Sequence, residues 1–135
     1  TFWGRAWAQR YYFDFYDLDE VIETQQQKTI TAIFEKDGED TFRGIETTAL
    51  KTFSDKTNYI LACGGGTACY NDNMKWMNEN GTTVYLCATP QYIYDRVIEE
   101  KDKSPLISKL NQAKIILQVQ DINENFLPEF IISNS

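Results

Sequence analysis

Apolar and polar positions along this chain switch between a helical and an extended period. Residues 3–11 (WGRAWAQRY) set Trp3 and Trp7 four apart, on one face of a predicted helix. Residues 12–16 (YFDFY) are short, aromatic and strand-like. Asp17-Leu18-Asp19-Glu20 then reads as a loop into a helix, with Asp19 as the N-cap. Residues 29–37 predict a helix capped by Thr29, with Ile30, Ile33 and Phe34 on one face and Gly38 as its stop. Residues 39–53 predict a longer helix whose stripe is Phe42, Ile45, Ala49, Leu50 and Phe53. The run 59–62 (YILA) is a buried strand that ends at Gly64-Gly65-Gly66. Residues 71–80 predict a helix capped by Asn71 or Asp72 and stopped by Gly81. Residues 83–88 predict a strand, and Thr89-Pro90 opens a helix to about Glu100. A polar loop covers 101–111, and 115–119 (IILQV) is a last strand. Residues 122–132 stay unassigned, because Pro128 argues against one unbroken helix there.

Strand–helix alternation with continuous apolar strands predicts an α/β fold, a parallel sheet with helices on both faces. Ligands in such folds sit at the carboxyl ends of the strands. That directs attention to Asp17–Asp19, Gly64–Gly66 and the segment after Cys87. No repeat or Pro/Gly/Ser-rich linker divides the chain, so residues 1–135 read as a single domain.

Composition removes several functions. Lys and Arg number 13 against 20 Asp and Glu, a net charge of −7, which suits no nucleic-acid backbone. No run approaches the roughly 18 apolar residues of a membrane span. There is no histidine, which excludes His triads, His metal sites and a His general base. Cys63, Cys69 and Cys87 fit no zinc spacing and read as core thiols of a reducing, cytoplasmic compartment. The start, Thr1-Phe2-Trp3-Gly4-Arg5, does not read as a signal peptide.

Four features carry candidate chemistry. Asp17 and Asp19 follow a strand, where two carboxylates hold Mg²⁺ through water and take a proton from a hydroxyl, or merely form a turn and a cap. Gly64, Gly65 and Gly66 let backbone N–H groups approach a ligand, or form a flexible turn. Arg43 and Glu46 lie three apart on one helix, as a carboxylate fork with its support or as a surface ion pair. Phe34 and Phe42 read as core before pocket wall, and Gln25–Lys28 as a solvated face.

In order, Phe15-Tyr16-Asp17-Leu18-Asp19, Ile33-Phe34 through Gly38-Glu39 to Phe42-Arg43 and Glu46, Gly64-Gly65-Gly66 and Val84-Tyr85-Leu86 resemble the shikimate kinase family. The run IFEKDGEDTFRGIE carries most of the specificity. The resemblance implies a P-loop kinase-like parallel sheet and phosphorylation of the shikimate 3-hydroxyl by ATP, on the way to chorismate and aromatic amino acids. It implies that Asp19 binds and deprotonates the hydroxyl and that Asp17 and Thr1 hold Mg²⁺. Arg43 then binds the substrate carboxylate with Glu46 behind it, Phe34 and Phe42 wall the ring, and Gly64, Gly65 and Gly66 contact substrate. Residues 19–53 become the substrate-binding helices and 99–111 a lid remnant, in a cytoplasmic monomer. No histidine is needed, because phosphoryl transfer rests on positioning and charge stabilisation.

Three departures stand beside this resemblance. The family's phosphate loop and first strand do not precede Thr1, so its glycines and lysine are absent from the chain. Ser104-Pro105-Leu106 stands where the family lid has an arginine, and Asn111 runs into Gln112 without the family's second arginine motif. The missing strand is central in the family, and its loss leaves its neighbours' backbone groups unpaired. The expectation is therefore an active kinase whose phosphate loop lies before Thr1 and whose lid has further residues between about Leu110 and Gln112. The alternatives are a shikimate-kinase-like pseudoenzyme that binds without catalysis, and a kinase for another hydroxylated acid.

Overall fold

A computed structural model describes residues 2–84 and 130–133. Thr1, the lid remnant 99–111, the 111–112 junction, Cys87, the helix opened by Pro90 and the strand expected at 115–119 lie outside the described residues.

The chain enters through α1 (Phe2–Tyr11), where Trp3 and Trp7 share a face with ring centroids 6.4 Å apart. Tyr12 adopts φ 58°, and the Phe13 N–H returns to the Ala8 carbonyl at 2.9 Å. That closure delays the strand expected at 12–16, and β1 is Asp14–Asp17. Helix α2 (Leu18–Gln26) follows without a loop. Its cap is Asp17, not Asp19: an Asp17 carboxylate oxygen accepts from the Asp19 N–H at 3.0 Å. The reason is register, since an Asx cap bonds the N–H two residues on and the helix already begins at Leu18.

Helix α3 (Ile30–Lys51) joins the two helices expected at 29–37 and 39–53. Thr29 caps it, accepting from the Ala32 N–H at 3.1 Å, and Glu23 takes the Ile30 N–H at 2.9 Å. At Gly38 the backbone turns to φ 83°, ψ 171°, outside the helical region, so the first helix stops there as expected and the second resumes across a kink. Positive φ is a conformation that glycine adopts at no steric cost. A 3-10 turn, Thr52–Asp55, ends the second helix.

Strand β2 (Tyr59–Ala62) is buried at every position, as its unbroken apolar run requires. A loop through Gly64–Gly66 and a 3-10 turn (Thr67–Cys69) leads to α4 (Asn73–Asn80), and β3 is Gly81–Val84. Gly81 ends α4 as expected but also starts the strand, which begins two residues before the expected 83. Asp72 occupies the cap position of α4 at φ 55° without a side-chain cap bond. The Asn71 amide is engaged elsewhere, donating to the Arg43 carbonyl at 3.3 Å and to Thr47 Oγ1 at 3.1 Å.

The sheet order is β1-β2-β4-β3, where β4 is Phe130–Ser133. β1 and β2 are parallel, pairing Asp14 with Tyr59 through Asp17 with Ala62. β4 lies antiparallel to both β2 and β3, which therefore run in the same direction as each other. Parallel pairing as read from the pattern is thus present between β1 and β2, and β3 keeps the same direction across β4. The reversed strand comes from the stretch that the pattern left unassigned. β4 pairs Ile60 with Ile132 and Thr82 with Ile132, so β2 and β3 share it as a backbone partner.

The core joins Leu18 and Ile22 of α2 to Ile33, Phe42, Ala49 and Leu50 of α3, with Phe53, Tyr59, Leu61 and Met77. Ile45 packs at its margin. Cys69 is exposed, against the expectation of a core thiol, because the turn that carries it faces solvent. Gln25 to Lys28 form the expected solvated face. Among the described residues, no helix is long and apolar enough to cross a membrane.

Leu61 is fully buried in β2. Leu61→Ala is expected to lower the unfolding free energy by about 2–5 kcal/mol, read by urea denaturation.

Candidate active site

The kink at Gly38 begins the helical run that builds the site. Glu39, Phe42, Arg43 and Glu46 follow at steps of three, one and three, so they share one helical face. Arg43 donates from Nη1 to Glu46 Oε1 at 3.0 Å and from Nη2 to Glu39 Oε1 at 3.2 Å. Its guanidinium lies over the Tyr70 ring, 4.4 Å from the centroid, and 5.3 Å from that of Phe42. Burial opposes its charge, but Glu46 and Glu39 outweigh burial and hold its pKa above the ordinary value. Arg43 therefore stays a cation. Its Nε has no hydrogen-bond partner among the described residues.

Glu46 is 1% exposed, and both its oxygens are engaged. Oε1 takes Arg43, and Oε2 accepts from the Thr67 hydroxyl at 2.8 Å. Thr67 is fully buried; its carbonyl accepts from Asn73 Nδ2 at 2.9 Å. One polar chain thus runs from α3 through the glycine loop to α4.

The triple glycine finds its reason at Gly66. A Cβ there would sit 2.7 Å from Arg43 Nη2, 3.0 Å from Nη1 and 3.1 Å from Cζ. The guanidinium occupies the space that any side chain would need. At Gly64 the nearest atom to such a Cβ is Thr67 Oγ1 at 3.6 Å, an ordinary contact.

Asp19 sits in the first turn of α2, with its carboxyl raised from 3.8 to about 6. Surrounding protein withholds water from it, and Asp17, Glu46 and Glu23 repel its charge, while Arg43 partly offsets them. The residue still has an exposed surface, so solvent or a ligand reaches it. The electrostatic coupling of Asp19 to both Arg43 and Glu46 brings the two sequence-predicted halves of the site together. Cys63 lies beside the same carboxylates; burial first, then Glu46, Asp17 and Asp19, push its thiol far above the ordinary value. It is no nucleophile.

Phe34 and Phe42 stack with ring centroids 4.6 Å apart; Phe42 is buried and Phe34 half-buried at its edge. Among the described residues, no three His, Cys, Asp or Glu side chains gather into a metal cluster. Asp17 and Asp19 offer two carboxylates two residues apart, and burial, then the Asp17 charge, raises Asp19. That donor set fits Mg²⁺, which takes one or two carboxylates and keeps several waters.

Sequence reasoning gave no role to Glu39, Thr67, Tyr70 or Asn73. Glu39 had a visible signal, four residues before Arg43 on the same face. Thr67 and Tyr70 lie in a loop whose path no periodicity describes, and Asn73 opens α4 at its far end.

The family model described as shikimate kinase matches residues 1–130. A shikimate kinase of Azobacteroides pseudotrichonymphae is 36% identical over 152 aligned residues, covering 93% of this chain and 89% of that protein. One from Phocaeicola vulgatus is 34% identical over 113, covering 84% of this chain; there the match spans only 65% of the relative's length. The crystal structure of shikimate kinase from Bacteroides thetaiotaomicron superposes with a TM-score of 0.84 at 30% identity, covering 93% of this chain and 73% of that one. That of Acinetobacter baumannii, in complex with shikimate, gives 0.81 at 30%, covering 91% and 68%. With the family match running from Thr1 into β4, the chain belongs to the shikimate kinase family.

Proposed function

We propose that this protein phosphorylates the 3-hydroxyl of shikimate with ATP, and that Arg43 and Asp19 are the two groups that define the substrate. The observation that carries this reading is their pairing: a permanently charged guanidinium braced from behind, and a carboxyl with a pKa of about 6, set in one electrostatic neighbourhood. A molecule that uses both must carry a carboxylate and a hydroxyl. The relative crystallised with shikimate supports the choice among such molecules.

In this reading Arg43 takes the substrate carboxylate, and Glu46 and Thr67 hold the guanidinium so that it is spent on no other geometry. Phe34 and Phe42 wall the ring, and the backbone at Gly64, Gly65 and Gly66 lies against it. Asp19, ionised above pH 6, accepts the hydroxyl proton as the oxygen attacks the γ-phosphorus and ADP leaves. Asp17, with Thr1 as the family resemblance implies, would hold Mg²⁺, which when bound would supply neutralising charge to the phosphates. The protein acts as a cytoplasmic monomer, where the free thiols of Cys63 and Cys69 persist.

Asp19→Asn is expected to cut kcat by about 10²–10⁴ in an ATP-coupled assay. In the wild type, log(kcat/KM) is expected to rise with unit slope and bend near pH 6, as Asp19 ionises. The same substitution is expected to raise the melting temperature at pH 7. Folding raises this carboxyl from 3.8 to about 6, so its stabilising proton is held below 3.8 and lost as pH rises through 6. An active Asp19→Asn enzyme would remove Asp19 as the base.

Gly66→Ala forces the Arg43 guanidinium aside and is expected to raise the shikimate Kd about tenfold or more, measured by calorimetry. Unchanged affinity would mean that Arg43 does not bind the carboxylate from this position. Tight shikimate binding without turnover by the wild type would favour a binding protein over a kinase.

A further inference from the structure

Two carboxylates share Arg43, and they are not equivalent. The Glu46 side chain is 2% exposed with both oxygens engaged, so it cannot leave without stranding a buried charge. The Glu39 side chain is 49% exposed. A single oxygen, Oε1, makes its contacts here, to Arg43 Nη2 at 3.2 Å and from the Tyr70 hydroxyl at 3.4 Å. Both are at the long end of hydrogen bonding, and water waits to solvate the released carboxylate. The local charge count is one cation against two anions. A third carboxylate arriving at Arg43 would meet net repulsion unless one of the two departs. Glu39 is the one free to go.

We infer that Glu39 is a specificity residue of this site: its carboxylate holds the Nη2 edge of Arg43 and yields it to the carboxylate of the substrate. This rests on the reading of Arg43 as the carboxylate site. The exchange of one carboxylate for another leaves the charge around Arg43 unchanged. Tyr70 stays stacked on the guanidinium and is placed to pass its hydroxyl from Glu39 to the newcomer. A neutral analogue brings nothing to exchange and leaves Glu39 in place, so the site selects acids over esters or amides of the same shape.

The test is calorimetry on the full chain and its Glu39→Gln variant. The probes are shikimate, shikimate methyl ester and cyclohexene-1-carboxylate, a ring acid with no hydroxyl. Glu39→Gln is expected to tighten both acids by about two- to fivefold and to leave the ester unchanged, widening the acid-to-ester ratio. A general loosening of the structure would weaken all three probes alike and would overturn the inference, as would acids that bind no tighter. Tighter cyclohexene-1-carboxylate alongside no shikimate binding in either protein would support the exchange and sink shikimate as the substrate.

Discussion

The buried ion pair between Arg43 and Glu46 is the constraint around which the site is arranged. Bringing two charges out of water costs several kcal/mol each unless geometry and further hydrogen bonds compensate. Each surrounding residue supplies part of that compensation. The Thr67 hydroxyl satisfies the second oxygen of Glu46, and the Tyr70 and Phe42 rings bracket the guanidinium. Gly66 contributes by having no side chain at all. The pair also ties α3 to the loop after β2, because Asn73 and Asn71 secure that loop from the other side. The fold and the functional geometry are therefore stabilised by the same contacts.

Much of the architecture was legible because the sequence is locally consistent. The buried run Tyr59–Ala62 matches its strand residue for residue, and Thr29 caps the helix that its position predicts. The apolar stripe from Phe42 to Phe53 lies in the core as a 3.6-residue period requires. Gly38 was legible as the break between two helices, and its positive φ is what interrupts them. The cap of α2 was misplaced by two residues, because Asp17 and Asp19 are equally good caps and only the strand's end decides between them. β4 was invisible. Phe130–Ser133 is too short for its pattern to speak, and what makes it a strand is the open backbone of distant neighbours.

The site divides in the same way. Arg43, Glu46 and Asp19 could be named because spacing and a resemblance pointed to them. Their partners could not, because Thr67, Tyr70 and Asn73 are brought to α3 by a loop with positive φ at Asn71 and Asp72, a path that no sequence period encodes. The cap error turns out to bear on chemistry. With Asp17 occupied at the helix start, the Asp19 carboxylate is spared that task and is left among charges that raise its proton affinity.

The position of β4 has a consequence for the order of assembly. The strand that separates β2 from β3 is reached only after residue 129, long after both neighbours have been synthesised. Among the described residues β2 and β3 share no other partner, and β2 presents a wholly buried apolar strand along that edge. Such non-local pairing is slow, because loop closure is unfavourable until the contacts form. Pairing of β4 between β2 and β3 is therefore the most sequence-distant step in forming the described sheet.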